Sequence, residues 1–230
     1  MEVGVDQQAA YVLHSRPYRD TSLIVDYFTL EHGRLSAVVQ GARRPRSKFK
    51  TTVQAFVPLQ LAWRGRNDLK TITQAEPVAS MLFLQGDSLL CGLYVNELLQ
   101  RLLQPFDAHP QLYVYYQYVL NELLSGQDVE GALRTFEHRL LKELGVMPDL
   151  TDKLPEQLYI YDSENGFLPR ASITDAQHSY AFWGRQLSAI SSDDYEQPSA
   201  KAAGKKLMRL LIDQALEGKP LRSRKLFQKM

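Results

Sequence analysis

The stretch from Ser22 to Val39, SLIVDYFTLEHGRLSAVV, decides how the first third of the chain is read. Two runs rich in β-branched and aromatic residues, Ser22 to Phe28 and Leu35 to Val39, flank a polar segment that ends in Gly33. That pattern predicts two strands joined by a hairpin turn. Working outward, Tyr11-Val12-Leu13, Ala55 to Leu61 and Leu69 to Thr73 are further runs of the same kind, and Arg64-Gly65-Arg66-Asn67-Asp68 makes a second polar, glycine-bearing turn between the last two. Pro58 falls inside the fourth run, which predicts an edge or bulged strand there. Five strands without a helix to cover them favour closure into a small barrel.

After Pro77 the period becomes helical. Leu89, Leu90, Leu93, Tyr94, Leu98, Leu102 and Leu103 recur at i, i+3, i+4 spacing and stop before Pro105. A second helix runs from Pro110 to Gly126, and a third follows Gln127-Asp128 and ends with Gly145 as its C′ residue. Together these three predict a helix bundle. A hairpin near 157–169, around Leu158 to Tyr161 and the turn Ser163-Glu164-Asn165-Gly166, precedes helices near 176–190 and 199–217. The expected class is α+β, with a strand domain over 1–80 and a mainly helical domain with a small β-hairpin over 81–230.

The composition excludes several functions. The chain has 230 residues, 44% of them hydrophobic and 23% charged, with a mean hydropathy of -0.30. No window approaches the roughly 18 uninterrupted apolar residues of a membrane span. The first residues, MEVGVDQQAA, lack the basic start and apolar run of a secretory signal, so a cytoplasmic location is expected. A single cysteine, Cys91, excludes internal disulfides and multi-cysteine zinc sites, and it reads as a core residue between Leu90 and Leu93. His14, His32, His109, His138 and His178 show no paired metal-ligand spacing. No phosphate loop, dinucleotide fingerprint or nucleophile elbow occurs. The expectation is a protein without cofactor or metal, and not an enzyme.

The formal net charge of +1 conceals segregation. Residues 1–80 carry 11 Lys and Arg against 7 Asp and Glu, residues 81–198 carry 7 against 17, and residues 199–230 carry 9 against 2. Between Glu31 and Asp68 there is no acid, yet Arg34, Arg43, Arg44, Arg46, Lys48, Lys50, Arg64 and Arg66 fall there. An acid-free basic stretch attracts phosphate, and small barrels bind single strands by combining such a groove with aromatic stacking. Phe28, Phe49, Phe56 and Trp63 are the aromatics near that stretch. The basic tail, with Lys219, Arg222, Arg224 and Lys225, is a second candidate locus for DNA. Two other readings remain open: an RNA-binding or translation-associated barrel, and a structural adaptor whose basic ends pair with its own acidic middle.

Several blocks bear a resemblance to one family. Ala10 to Ile24 (AYVLHSRPYRDTSLI), Phe28-Thr29, Gly33 and Gly41-Ala42-Arg43-Arg44, then Tyr94 to Leu99, Arg134 to Glu137, Leu144-Gly145 and Ser223 to Phe227 resemble the RecO family of bacterial recombination mediators. The resemblance spans nearly the whole chain. It implies an N-terminal OB-fold barrel and a helical domain, acting in DNA repair without catalysis. The implied activities are binding single- and double-stranded DNA, annealing strands, engaging the acidic C-terminal tail of the single-stranded-DNA-binding protein, and helping load RecA, often with RecR. A nucleoid-associated location goes with that role. Such a tail calls for an apolar pocket and an arginine to fork its terminal carboxylate. Arg134, beside Leu133 and Phe136, is the preferred anchor, with Arg139 and Arg101 as further candidates. Pairing of these arginines with Glu97, Glu130 or Glu143 is the alternative. Two departures from the family stand out. Some members carry four zinc-binding cysteines in the region of 146–170, where this chain has none, so packing must hold its hairpin. Gln40 also stands where a lysine often precedes the Gly-Ala-Arg.

Overall fold

The computed structural model describes residues 4–172, 174 and 179–227. Its contacts divide the chain into two compact units, 1–127 with 221–230, and 128–220. The change of sequence character near residue 80 and this packing boundary are different cuts.

In the first unit, strands β1 (Gly4–Tyr18), β2 (Ser22–Thr29), β3 (Gly33–Val39), β4 (Leu59–Arg64) and β5 (Leu69–Pro77) form a closed barrel in the order β1-β2-β3-β5-β4. All pairings are antiparallel except β3 with β5, in which Ser36 lies beside Leu69. This is an OB-like barrel. Val12, Val25, Tyr27, Leu35, Ala37, Val39, Leu59, Leu61 and Ile72 fill its interior, and β3 alternates buried and half-buried along its length as the period of two requires. The predicted hairpin is present, with Thr29 opposite Gly33. Gly33 has φ +61, and a Cβ there would lie 1.7 Å from the Asp107 carbonyl oxygen, so only glycine fits.

Two expectations about strands need correction. The first strand is 15 residues long, not a core of three, because it pairs with β4 through its first half and with β2 through its second. Its polar flanks hide that continuity. The fourth strand begins only at Leu59, so Pro58 stands outside it, and β4 is no edge, having neighbours on both sides. A bulge does occur in it, between Ala62 and Trp63.

Helices α1 (Gly86–Leu102) and α2 (Pro110–Ser125) and the short α6 (Arg222–Phe227) complete the first unit. Phe56 packs onto Gly92 of α1, where a Cβ would come within 2.9 Å of its ring. Asn96 of α1 is buried and donates from Nδ2 to the carbonyls of Val12 and Leu13, both at 3.2 Å. α6 packs on α1, where the Glu97 carboxylate accepts from the Arg222 and Ser223 amides at 2.9 and 2.8 Å and from Ser223 Oγ at 2.6 Å.

The second unit holds α3 (Val129–Glu143), a sheet of β6 (Leu158–Asp162), β7 (Gly166–Arg170) and β8 (Ala181–Trp183), then α4 (Gly184–Ser191) and α5 (Pro198–Ala215). The predicted bundle is thus divided, because α1 packs with α2 whereas α3 packs with α5. Asp128 caps α3, accepting from the Gly131 amide at 3.1 Å. The predicted hairpin is β6–β7, and its packing comes from a chain of rings, Tyr161 to Phe167 at 5.5 Å and Phe167 to Phe182 at 5.6 Å. The helix expected near 176–190 starts at Gly184, the preceding Ala181 to Trp183 pairing with β6; residues 175–178, with His178, lie outside the described residues.

Candidate nucleic-acid interface

The chain between β3 and β4 is a run of turns pinned at a few points. Ala42, Phe49 and Thr52 are buried, and Thr52 Oγ1 donates to the Phe49 carbonyl at 3.2 Å. Further bonds run from the Arg44 amide to the Gly41 carbonyl at 3.1 Å, from the Ser47 amide to the Arg44 carbonyl at 3.0 Å, and from the Phe49 amide to Ser47 Oγ at 3.2 Å. With the small and apolar residues held inward, the cations between them face water. Arg43, Arg44, Arg46, Lys48 and Lys50 are all exposed. Arg44, Arg46 and Lys48 line an open concavity of about 570 Å³ together with Gln40, Pro45 and Phe49. None of the five cations has a carboxylate partner among the described residues.

Arg43 ties this segment to the β1–β2 turn. Its amide donates to the Thr21 carbonyl at 2.9 Å, and its guanidinium reaches the Arg19 and Asp20 carbonyls, both at 3.4 Å. The exposed Arg16 and Arg19, at the end of β1, thereby join the same end of the barrel. Neither was singled out in the sequence, since each stands outside the acid-free stretch. Tyr18 lies there too, half-buried, with the Arg19 guanidinium carbon 5.1 Å from its ring centre.

The remaining sequence candidates go elsewhere. Arg64 and Arg66 are exposed at the β4–β5 turn, which the strand register places with the β2–β3 turn at the opposite end of the barrel. The His32 and Trp63 rings, 5.3 Å apart, mark that end. Arg34 is there as well, half-buried, its Nε donating to the Leu103 carbonyl at 3.0 Å, so it braces the chain after α1. The four aromatics expected to flank the basic stretch are all buried, Phe28 at 0%, Trp63 at 3%, Phe56 at 4% and Phe49 at 9% exposure. They serve as core and offer no open face to a base.

In the tail, Arg222 and Lys225 are exposed, Arg224 is half-buried, and Lys219 pairs with Glu217 at 3.0 Å. Burial raises the Glu97 pKa, but the Ser223 and Arg222 bonds and the Arg101 charge outweigh it and hold that carboxyl below its ordinary value. The three arginines expected to meet a partner tail all sit on carboxylates. Arg101 lies 3.6 Å from Glu97, and Arg134 pairs with the buried Glu137 at 3.0 Å. Arg139 and His138 share Asp193, His138 Nδ1 at 2.7 Å from Oδ1. The Arg101 pair with Glu97 was among those foreseen. Beside them the Tyr195 hydroxyl is pushed well above its ordinary pKa, chiefly by burial and then by the Asp193 and Glu137 charges. Among the described residues no cluster of three or more His, Cys, Asp and Glu side chains is placed to hold a metal, and no helix is long and apolar enough to cross a membrane.

An OB-like barrel with a cationic, acid-poor end fits the class of small barrels that handle nucleic acids. The family models for the N-terminal part of recombination protein O, over residues 1–81, and for its C-terminal part, over residues 84–155, both match. Curated relatives named DNA repair protein RecO include those of Ralstonia nicotianae, 42% identical over 98% of this chain and 85% of the relative, and Burkholderia pseudomallei, 40% identical over 98% and 84%. That of Methylococcus capsulatus is 40% identical over 95% of this chain and 91% of its own. The chain belongs to the RecO family, and its role lies in DNA repair.

Proposed function

We propose that this protein is a non-catalytic recombination mediator that binds single- and double-stranded DNA through the β3–β4 end of its barrel. The observation that carries the reading is the set of five exposed cations, Arg43, Arg44, Arg46, Lys48 and Lys50, without a carboxylate partner among the described residues, three of which, Arg44, Arg46 and Lys48, line a concavity. Cations already neutralised by protein carboxylates release few counterions on meeting phosphate, whereas these keep their full charge for it. Annealing needs a second strand, for which Arg64 and Arg66 or the tail residues Lys219, Arg222, Arg224 and Lys225 are the candidates. Family membership supports the further reading that the protein engages the tail of the single-stranded-DNA-binding protein and helps load RecA, with RecR as a partner. An incoming tail carboxylate would compete with Asp193 for Arg139, the more exposed of the two arginines on α3.

The test is salt-dependent binding of the full chain to a single-stranded oligonucleotide. Five phosphate contacts give a log–log slope of about -3.5, and Arg44→Ala/Arg46→Ala/Lys48→Ala should flatten it by about 2. An unchanged slope would move the DNA site elsewhere. A matched RNA oligonucleotide bound in preference to DNA would favour the RNA-binding alternative.

A further inference from the structure

A cationic groove holds phosphates but does not distinguish a single strand from a duplex; an accessible aromatic face does, because only unpaired bases are free to stack on it. The four aromatics around the basic stretch cannot serve, each being at most 9% exposed. Tyr18 is placed differently. It is the last residue of β1, opposite Ser22 and beyond the packed barrel interior, and it is half-buried. Its ring carries the Arg19 guanidinium at 5.1 Å, and Arg19 has φ +49, a left-handed conformation unusual for a non-glycine residue. Arg43 bonds the same turn to the cationic segment through the carbonyls of Arg19, Asp20 and Thr21.

We propose that Tyr18 is a base-stacking subsite for single-stranded nucleic acid, and that Arg19 covers its ring in the free protein and moves to a neighbouring phosphate when a base arrives. An exposed cation–π contact is weaker than base stacking on an aromatic ring, so the exchange runs toward the bound state. The arginine keeps its charge in use, since the phosphate replaces the ring as its partner. This inference rests on the reading of the β3–β4 end as the DNA interface.

The experiment compares an oligothymidine with the same sugar-phosphate backbone lacking bases, titrated into the full chain and into Tyr18→Ala, Tyr18→Leu and Tyr18→Phe. Wild type should prefer the oligothymidine. Tyr18→Ala and Tyr18→Leu should lose about tenfold in affinity for it, while the salt slope and the affinity for the abasic strand stay the same. Tyr18→Phe should behave as wild type, because the ring face and not the hydroxyl does the stacking. Tyr18→Leu keeps an apolar anchor in the turn, so a loss confined to Ala would signal a disturbed turn and overturn the proposal. A preference for bases that survives in both variants would also overturn it, as would a wild type that binds both strands equally with a steep salt slope. That last result leaves the phosphate-binding interface standing, whereas a flat slope and no binding to either strand would remove interface and subsite together.

Discussion

Replacing Asn96 by alanine should cost about 4–6 kcal/mol of stability, and the figure follows from what that side chain satisfies. In β1 the pairing with β2 shifts register between Val12 and His14, a bulge that interrupts the ladder. Asn96, 2% exposed on α1, donates to the Val12 and Leu13 carbonyls there, and its Oδ1 accepts from the Tyr116 hydroxyl at 2.7 Å. Tyr116 is itself fully buried, edge-on to Tyr11 at 5.1 Å and to Phe28 at 6.0 Å. Each hydrogen bond lost is worth about 1 kcal/mol net, and a phenol stranded away from water adds about 1–3 kcal/mol. Tyr116→Phe removes only one of the three bonds and should cost about 1–2 kcal/mol. The double variant should fall short of additivity by about 1 kcal/mol, because the two residues share a bond. Urea unfolding followed by circular dichroism measures all three. A loss under about 1 kcal/mol for Asn96→Ala, or additivity within about 0.5 kcal/mol, would refute the assignment of Asn96 as the clamp between α1 and the bulge.

Other expectations can be checked alongside. The Glu97 pKa is lowered in the folded protein, so its contribution is present above the ordinary glutamate value, about 4.3, and is lost as pH falls through the depressed one. Glu97→Gln should release α6 at neutral pH, seen as faster trypsin cleavage at Arg222, Arg224 and Lys225; an unchanged rate would count against the docking. Arg134→Ala, which takes the guanidinium from the buried Glu137, should destabilise the second unit by about 3–5 kcal/mol. Replacing both partners by apolar residues of similar volume should cost far less, and equal losses would argue against a buried ion pair as the cause. Any peptide-binding loss in Arg134→Ala therefore has to be read beside its thermal midpoint. Strong chelators should leave the midpoint of the wild type unchanged, and stoichiometric zinc in the purified protein would contradict this.

Strands and helices with a clean period were legible in the sequence. β2, β3, α1, α2 and α3 lie within a few residues of their expected positions, because alternation and i, i+3, i+4 spacing are local properties. Pairing was less accessible. The continuation of β1 through Gln7-Gln8 and Arg16-Pro17 depends on two different neighbours, and the late start of β4 depends on Phe56 turning back, at φ +64, to reach Gly92. The aromatics near the basic stretch were identifiable by type, but exposure is set by the packed fold, which draws all four inside. Likewise Arg19 and Tyr18 gain their place beside the cationic segment only through Arg43, a contact made across more than 20 positions.

The charge segregation acquires a physical meaning once the partners are known. Bases after residue 198 meet acids of the middle segment inside the second unit, Lys201 with Asp128 at 2.7 Å and Lys205 with Glu130 at 3.5 Å. Asp128 is held below its ordinary pKa first by its bond to Lys201. These contacts match, for α5, the reading in which a basic end pairs with the acidic middle. No such partner meets Arg44, Arg46 or Lys50 among the described residues, and Arg43 spends its donors on backbone carbonyls, which leave its charge intact. A near-neutral chain therefore presents a concentrated positive field at one end of its barrel, because its other excess bases are partly compensated where they lie. Salt screens such a field over about 8 Å at physiological ionic strength, so it acts over a few phosphates and not over the whole molecule.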